Sequence, residues 1–434
     1  MAVTTDAAEM FRYTYGSDDL KYLASQEIVM WNILKPRMKE QGGRGQAIIP
    51  IQTKNAGVFR GHAEGGAKTT RRAQPGTAEA TFSLQEFHAV WDVSWKMLRA
   101  ASKSEWALAR TLDFMESSQR RRVFRLVNAD LCGSGLGELA ILPAADDQAT
   151  VTVSSMPFAD IGLHVDLMDV GDYDTLHADG VTVDAIDITE SGYTMTLSGA
   201  ASSTAANDFF TVADSVTSTA SLHMNGVLSV INNANPASPV GNYGGINRST
   251  DGNEYWSSTV FGNGGTNRPL TEDMAMHAMN VARMRGGKPI DCWVSNSAIL
   301  RRYHEELSDR VFIQANKIAG VTEQGQKVGY GRADAFDGQD DAGTGETPYT
   351  LCGKPWMEEP FFRANTMVGI SKENLWIAHD GIEVPTPIGE IFDGQTPYFT
   401  DTANTTFEVV SYWEAELVSD NPLTHCRLND IAES

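Results

Sequence analysis

The chain has 434 residues, too many for one ordinary core, and the length predicts two or three folding units. Hydrophobic residues make up 41% and charged residues 21%, which argues against global disorder, while 39 glycines favour turns, bulges and loops over a helical bundle. With 34 basic against 56 acidic residues the formal charge is −22, which argues against a protein whose outer faces coat nucleic acid by counterion release.

The opening MAVTTDAAEM lacks the charged-then-apolar pattern of an export signal, and no apolar run reaches the roughly 18 residues of a spanning helix. Neither export by that route nor a membrane partner is expected. Cys132, Cys292, Cys352 and Cys426 lie far apart, with no C-x-x-C pair and no histidine at ligand spacing. They read as buried free thiols rather than as a zinc site or a disulfide framework.

Residues 1–40 read as an arm. Asp18 and Asp19 open a stretch with apolar residues at Leu20, Leu23, Ile28, Trp31 and Leu34, which suits a short helix. An ordinary N-terminal helix packed on its own domain is the plainer reading of the same pattern.

Residues 41–95 read as a long hairpin, with a strand at Ala47–Ile51 and a returning extended run from Thr81 to Trp95. The glycine-rich loop between them holds Lys54, Arg60, Lys68, Arg71 and Arg72 against Glu64 alone, a positive element in a strongly acidic chain. A long loop without a core of its own commonly marks a binding element.

Within residues 96–147 lies the clearest helix. Ser102 and Glu105 stand at capping-box spacing, and Leu108, Leu112, Met115, Val123, Val127 and Leu131 share one face. Arg120, Arg121, Arg122 and Arg125 complement the dipole near its end, and Gly133 is placed to terminate it. At 1.5 Å per residue such a spine is roughly 43 Å long.

Residues 148–222 alternate with period two, in Val181, Val183 and Ala185 and again in Tyr193, Met195 and Leu197, and read as an inserted small β-barrel or sandwich. Residues 223–350 read as an α/β module. In it a helix begins at Thr271, carries Met274, Ala278, Val281 and Met284, and stops at Gly286 and Gly287. A strand over Ile290–Val294 follows, then a helix capped by Ser295 or Ser297. Residues 351–434 are mainly strand-like, as in NLWIAHDGIEV and TTFEVVSYWEAELV.

Motifs that carry chemistry are sparse. Gly133, Gly135 and Gly137 follow a helix rather than a strand, so they lack the context of a dinucleotide loop. Asp337, Asp340, Asp341 and Glu346 lack EF-hand spacing and read as a solvated acidic loop. No phosphate loop, zinc-protease motif or nucleophile elbow occurs, so no catalytic residue, no metal site and no cofactor is expected, and the chain is read as a non-enzyme.

The order of arm, basic hairpin, spine helix, α/β module and late strands resembles the major capsid proteins of tailed bacteriophages. The most specific stretches are NADLCGSGLGELA (128–140) and GGINRSTDGNEYWSS (244–258), with LCGKPWMEEP and NLWIAHDGIEV later. The resemblance implies an α+β phage capsid fold, with a peripheral domain of spine helix and sheet, an axial α/β domain, an extended hairpin loop, an N-terminal arm and an inserted β-domain. It implies self-assembly through hexamers and pentamers into an icosahedral shell around double-stranded DNA, in a virion assembled in the host cytoplasm.

By position Lys54, Arg60, Lys68, Arg71 and Arg72 fall in the extended loop and are expected at the interface with a neighbouring subunit. Lys68 is the candidate where relatives cross-link this loop through a lysine, with non-covalent closure as the default reading. No long cleavable scaffolding segment is expected before the arm. Scaffolding, portal and decoration proteins are further possible partners, and packaged DNA is expected to touch the inner face only weakly. An encapsulin-like nanocompartment shell is the alternative, and an extracellular β-rich adhesin or carbohydrate-active enzyme a third reading.

Overall fold

The computed structural model describes residues 29–40, 45–54, 64, 74–94, 122–154, 161–170, 172–173, 175–189, 192–236, 239–306, 349–360, 362–382, 386–387, 399–400 and 406–433. It is a mixed α+β structure with several sheets and few helices.

Helix α1 (Val29–Leu34) runs through a 3-10 turn into strand β1 (Lys39–Glu40). Strands β2 (Gln46–Lys54) and β3 (Gly76–Ser83) form a hairpin, and the chain then enters β4 (Gln85–Ser94). Residues 122–132 are helical (α2). Six strands follow: β5 (Ala140–Ile141), β6 (Thr150–Val153), β7 (His164–Met168), β8 (Leu176–Thr189), β9 (Gly192–Leu197) and β10 (Phe209–Val212). A one-turn helix α3 (Val227–Val230) precedes β11 (Thr259–Phe261), α4 (Glu272–Gly286), β12 (Cys292–Ser295) and helix α5 at 297–306. The remaining strands are β13 (Tyr349–Leu351), β14 (Lys354–Glu358), β15 (Met367–Ile370), β16 (Leu375–His379), β17 (Thr386–Pro387), β18 (Phe399–Thr400), β19 (Thr406–Ser419) and β20 (Cys426–Leu428).

The longest ladder is built on β19. One edge pairs antiparallel with β4 from Thr406↔Ser94 to Ala415↔Gln85, and the other takes β18, β17 and β16 in turn. Trp413, Ala415 and Leu417 alternate into the main core, where Trp31 of α1, Val127 and Leu131 of α2 and Leu228 of α3 meet them. The run from Thr81 to Trp95, read from sequence as one returning strand, therefore divides at Leu84. Its first part closes the hairpin, where the Leu84 amide donates to Gly45 O at 2.9 Å, and its second leaves to pair with β19. Both parts alternate, so sequence pattern alone does not mark the corner.

A second sheet, in the order β5-β10-β7-β8-β9-β6, is drawn entirely from residues 140–212. Its edge strands meet where the Ser154 amide, just after β6, donates to Ile141 O of β5 at 2.7 Å. Val151, Val165, Leu167, Val183, Met195 and Phe210 fill its interior. A bulge between Val183 and Ala185 shifts the phase of β8. Ile186, rather than the expected Ala185, then packs inward.

The third sheet, in the order β11-β20-β15-β12-β14-β13, carries α4 and α5. Thr271 caps α4 by accepting from the Met274 amide, and Gly287 ends it at φ +75°. The buried stripe is Ala275, Ala278 and Ala282, whereas Met284 is 85% exposed, so the helix is rotated from the face that its large apolar residues suggest. Small alanines let the helix lie close to the sheet. The cap of α5 is Asn296, whose Oδ1 accepts from the Ile299 amide at 3.1 Å, and not Ser295 or Ser297. Ser295 is instead taken by the Trp356 indole N–H. Strands after 351 are shared between the first and third sheets rather than gathered in one. LCGKPWMEEP forms the β13–β14 hairpin, with Cys352 and Gly353 both at positive φ, and β14 pairs parallel with β12.

Two buried titratable groups set how this core responds to pH. Glu416 accepts from the Asn225 and Leu417 amides at 2.8 and 3.1 Å, and burial pushes its carboxyl up to about 8 from 4.5. Between those values the folded chain holds a proton that the unfolded chain has released, so stability falls as pH rises through the window. His425 accepts from the Ser371 amide at 3.1 Å, and burial pushes it down to about 3 from 6.5. There the unfolded chain takes up the proton first, so stability falls as pH drops from 6.5 towards 3. Glu416→Gln keeps an acceptor for both amides. Denaturant titrations at a series of pH values should show the decline above pH 5 flattened, by at most about 1.4 kcal/mol per pH unit, with the acid limb unchanged. An unaltered slope would mean that Glu416 is already ionised in the native state.

Candidate subunit interface

The hairpin β2–β3 pairs in register from Gln46↔Ser83 to Lys54↔Gly76, with a bulge between Gln52 and Lys54, and forms a two-stranded sheet by itself. Two strands alone are marginal in water, so the hairpin depends on what holds its base. Ala47, Ala80 and Phe82 are buried there, and Ile49 and Ile51 pack half-buried against the main core. The outer face carries Ile48, 46% exposed. Lys54 is exposed at the far end of the described ladder, while Arg60, Lys68, Arg71 and Arg72 lie outside the described residues.

The base rests on an aromatic platform. The Phe82 ring lies 4.8 Å from Tyr243 and 6.5 Å from Trp256, and Tyr243 stacks on Trp256 at 5.9 Å. Gly244 makes room for it: at φ +64°, a Cβ there would stand 2.8 Å from Phe82 Cζ and 3.0 Å from Ala80 Cβ.

Arg248 holds the platform in place. It is buried, and its guanidinium donates to Trp256 O (2.9 Å), Ser229 O (2.8 Å), Val230 O (2.9 Å) and Ala234 O (3.3 Å). Its charge also sits over the Tyr243 ring at 5.1 Å, and burial lowers its pKa to about 10. Trp256 Nε1 donates to Tyr243 O at 2.8 Å. The Tyr243 hydroxyl accepts from the Ser419 amide and donates to Leu417 O, which ties the platform to β19. The segment GGINRSTDGNEYWSS is therefore the seat of the hairpin. Nothing in its spacing separates Arg248 from a surface arginine, so this role was not legible in sequence.

The end of the arm is fixed by a buried carboxylate. Glu359 Oε2 accepts from the Met30 amide at 3.0 Å and from Asn128 Nδ2 at 3.1 Å, and Asn128 Oδ1 accepts from the Trp31 amide at 3.0 Å. These bonds satisfy first-turn N–H groups of α1. Trp31 then packs edge-on to Trp413 at 5.7 Å. Residues 29–34 thus pack on this chain's own core, and residues 1–28 lie outside the described residues.

One cluster has the order of a nucleophilic triad. His223 Nδ1 lies 2.9 Å from Asp130 Oδ1, and Nε2 lies 2.9 Å from Ser215 Oγ and 3.2 Å from Thr211 Oγ1. Asp130, Thr211 and Ser215 are buried, and the Ser215 hydroxyl donates to Val212 O, so the geometry suits a latch between α2 and β10 better than attack on a substrate. Gly137 accommodates it, since a Cβ there would stand 2.2 Å from the imidazole. Of the glycines of NADLCGSGLGELA, Gly137 is the one that serves this close approach.

No protein-family model matches the chain, and no curated protein matches it. Among solved structures it is similar to the cyanophage A-1(L) capsid asymmetric unit, at 14% identity over 97% of this chain and 99% of that one, with a TM-score of 0.53. It also aligns with the capsid of an empty GTA particle (11% identity, 98% of each chain, TM-score 0.44). A further alignment is with the SrpI encapsulin of Synechococcus elongatus PCC 7942 (8% identity, 99% of this chain and 96% of that one, TM-score 0.43). The chain shares its fold with the cyanophage capsid structure along nearly its whole length.

Two substitutions test the seat. Arg248→Leu removes a donor from four carbonyls, of which Val230 O keeps the Ser258 hydroxyl, and should cost about 3 kcal/mol or more in urea unfolding, with Arg248→Lys recovering only part because one ammonium cannot match the fork. Gly244→Ala adds a clash to roughly 1–2 kcal/mol of backbone strain. Amide exchange at Ala47 and Ala80 should quicken about ten-fold or more, with β8 and β9 unaffected; uniform exchange rates would disconnect Gly244 from the hairpin.

Proposed function

We propose that the chain is the major capsid protein of a tailed bacteriophage, assembling with copies of itself through hexamers and pentamers into an icosahedral shell around double-stranded DNA. The observation that carries this reading is the fold held in common with a phage capsid structure over 97% of this chain and 99% of that one. A two-stranded hairpin outside the three larger sheets, seated on the body by one aromatic platform, supports it.

In this reading α2 and the β19 sheet form the peripheral domain, the α4 sheet belongs to the axial domain, and the sheet of residues 140–212 is an outward insertion. The chain acts as a structural protein in the virion and performs no catalysis. Each interface contributes modestly, and closed symmetry makes the sum large while leaving misplaced subunits free to dissociate. Lys54, Arg60, Lys68, Arg71 and Arg72 supply the positive side of a contact whose negative side is a neighbouring copy, since the chain carries 56 acidic residues. The same acidity keeps contact with packaged DNA on the inner face weak. Scaffolding, portal and decoration proteins complete the set of partners, and assembly takes place in the host cytoplasm.

Arg71→Glu combined with Arg72→Glu reverses two of the five charges. Particle yield, counted by negative-stain microscopy and sedimentation, should fall at least about ten-fold while the thermal midpoint of the unassembled subunit stays within a degree or two. Full yield from this variant would remove the loop from the interface. Particles filled with protein cargo instead of nucleic acid would point to a nanocompartment shell.

A further inference from the structure

The β-rich unit of residues 140–212 brings together three side chains from three different strand ends that no sequence motif connects. Asp169 follows β7, His177 lies in β8, and Asp208 directly precedes β10. His177 Nε2 stands 3.2 Å from Asp208 Oδ2 and 3.9 Å from Asp169 Oδ2, and one ligand atom from each residue lies within 4.8 Å of the others.

The position of His177 is built rather than incidental. Leu167 pairs with Ala178 and Met168 with Leu176, which leaves His177 as the extra residue of a bulge. A bulge re-aims a side chain, and this one turns the imidazole inward to 5% exposure. Although Nε2 lies 3.2 Å from Asp208 Oδ2, this buried nitrogen makes no hydrogen bond among the described residues. Asp208 is fully buried and is oriented from behind by the Val170 and Ala205 amides, which donate to Oδ1 and Oδ2. Such outer contacts fix a ligand for a metal. Asp169, 31% exposed, leaves one side open to water.

We propose that Asp169, His177 and Asp208 bind a first-row divalent transition-metal ion, with zinc as the best-fitting probe, and that the ion cross-braces the ends of β7, β8 and β10. One imidazole nitrogen with two carboxylates suits zinc or manganese and disfavours magnesium and calcium, which prefer all-oxygen shells. Donors about 2.1 Å from one ion at tetrahedral angles stand about 3.4 Å apart. The two separations from Nε2 straddle that value, so closure needs only side-chain adjustment. The site departs from the expectation of no metal because its ligands converge through a bulge that sequence spacing does not register.

The test is calorimetric titration of the full chain with zinc, with magnesium in parallel, alongside thermal unfolding. One zinc ion should bind per chain, magnesium should not bind, and the thermal midpoint should rise with zinc concentration by mass action. His177→Gln and Asp169→Asn should each weaken zinc by more than the roughly ten-fold that loss of an outer-shell partner typically costs. Asp169 is part-exposed, so its variant decides the matter if His177→Gln fails to fold. Absence of stoichiometric zinc, or zinc held equally well by the variants, overturns the proposal.

Discussion

A buried guanidinium whose hydrogen bonds end on four backbone carbonyls is the interaction on which the rest of this architecture hangs. Arg248 gathers Ser229, Val230, Ala234 and Trp256 around one positive charge. Loops rarely enter a core, because their peptide groups cannot all be paired there. Arg248 resolves that difficulty at the buried Ser229, Val230 and Trp256 by supplying donors in a rigid fork. The stacked pair Tyr243 and Trp256 is then fixed against β19, and Phe82 can rest on it. The hairpin is thus held by the body of the protein as well as by its own weak two-stranded pairing.

The same device recurs with opposite charge. Glu359 draws the first turn of α1 onto α2 through Asn128, so the placement of α1 on the core is set by directional bonds as well as by Trp31 packing. Glu416 and His425 are buried near the same end of β19, and each is shifted towards its neutral form by burial. Polar groups in a low-dielectric interior are costly unless paired, and once paired they admit few alternative arrangements. On the proposed function, a body held in this way would present the same contacts at every position of a shell, with the charged hairpin loop left to meet the neighbour.

Charge distribution fits that division. The overall balance is strongly acidic, while the loop between β2 and β3 is basic. On the proposed function, this contrast in charge would select the orientation of neighbouring copies more than it adds raw affinity. The β-rich unit stands apart from that scheme. Its core takes in Ala129 and Leu126 of α2, its junction to α2 also runs through Asp130 and His223, and its strand ends converge on the proposed cation site.

What the sequence by itself determined is the set of local elements: the α4 cap at Thr271 and its stop at Gly287, the alternating β8, β9 and β19, the apolar face of α2 with Val127 and Leu131, and the concentration of charge between β2 and β3. Period, capping chemistry and turn residues are short-range properties, so one chain displays them. Tertiary structure alone decided where the run from Thr81 to Trp95 divides, which face of α4 is buried, that Asn296 caps α5, and which strands after 351 join which sheet. It also decided the roles of Arg248, Glu359 and the group Asp169, His177 and Asp208. Those outcomes rest on partners up to hundreds of residues away and on bulges that alter side-chain phase, and neither leaves a periodic trace in the sequence.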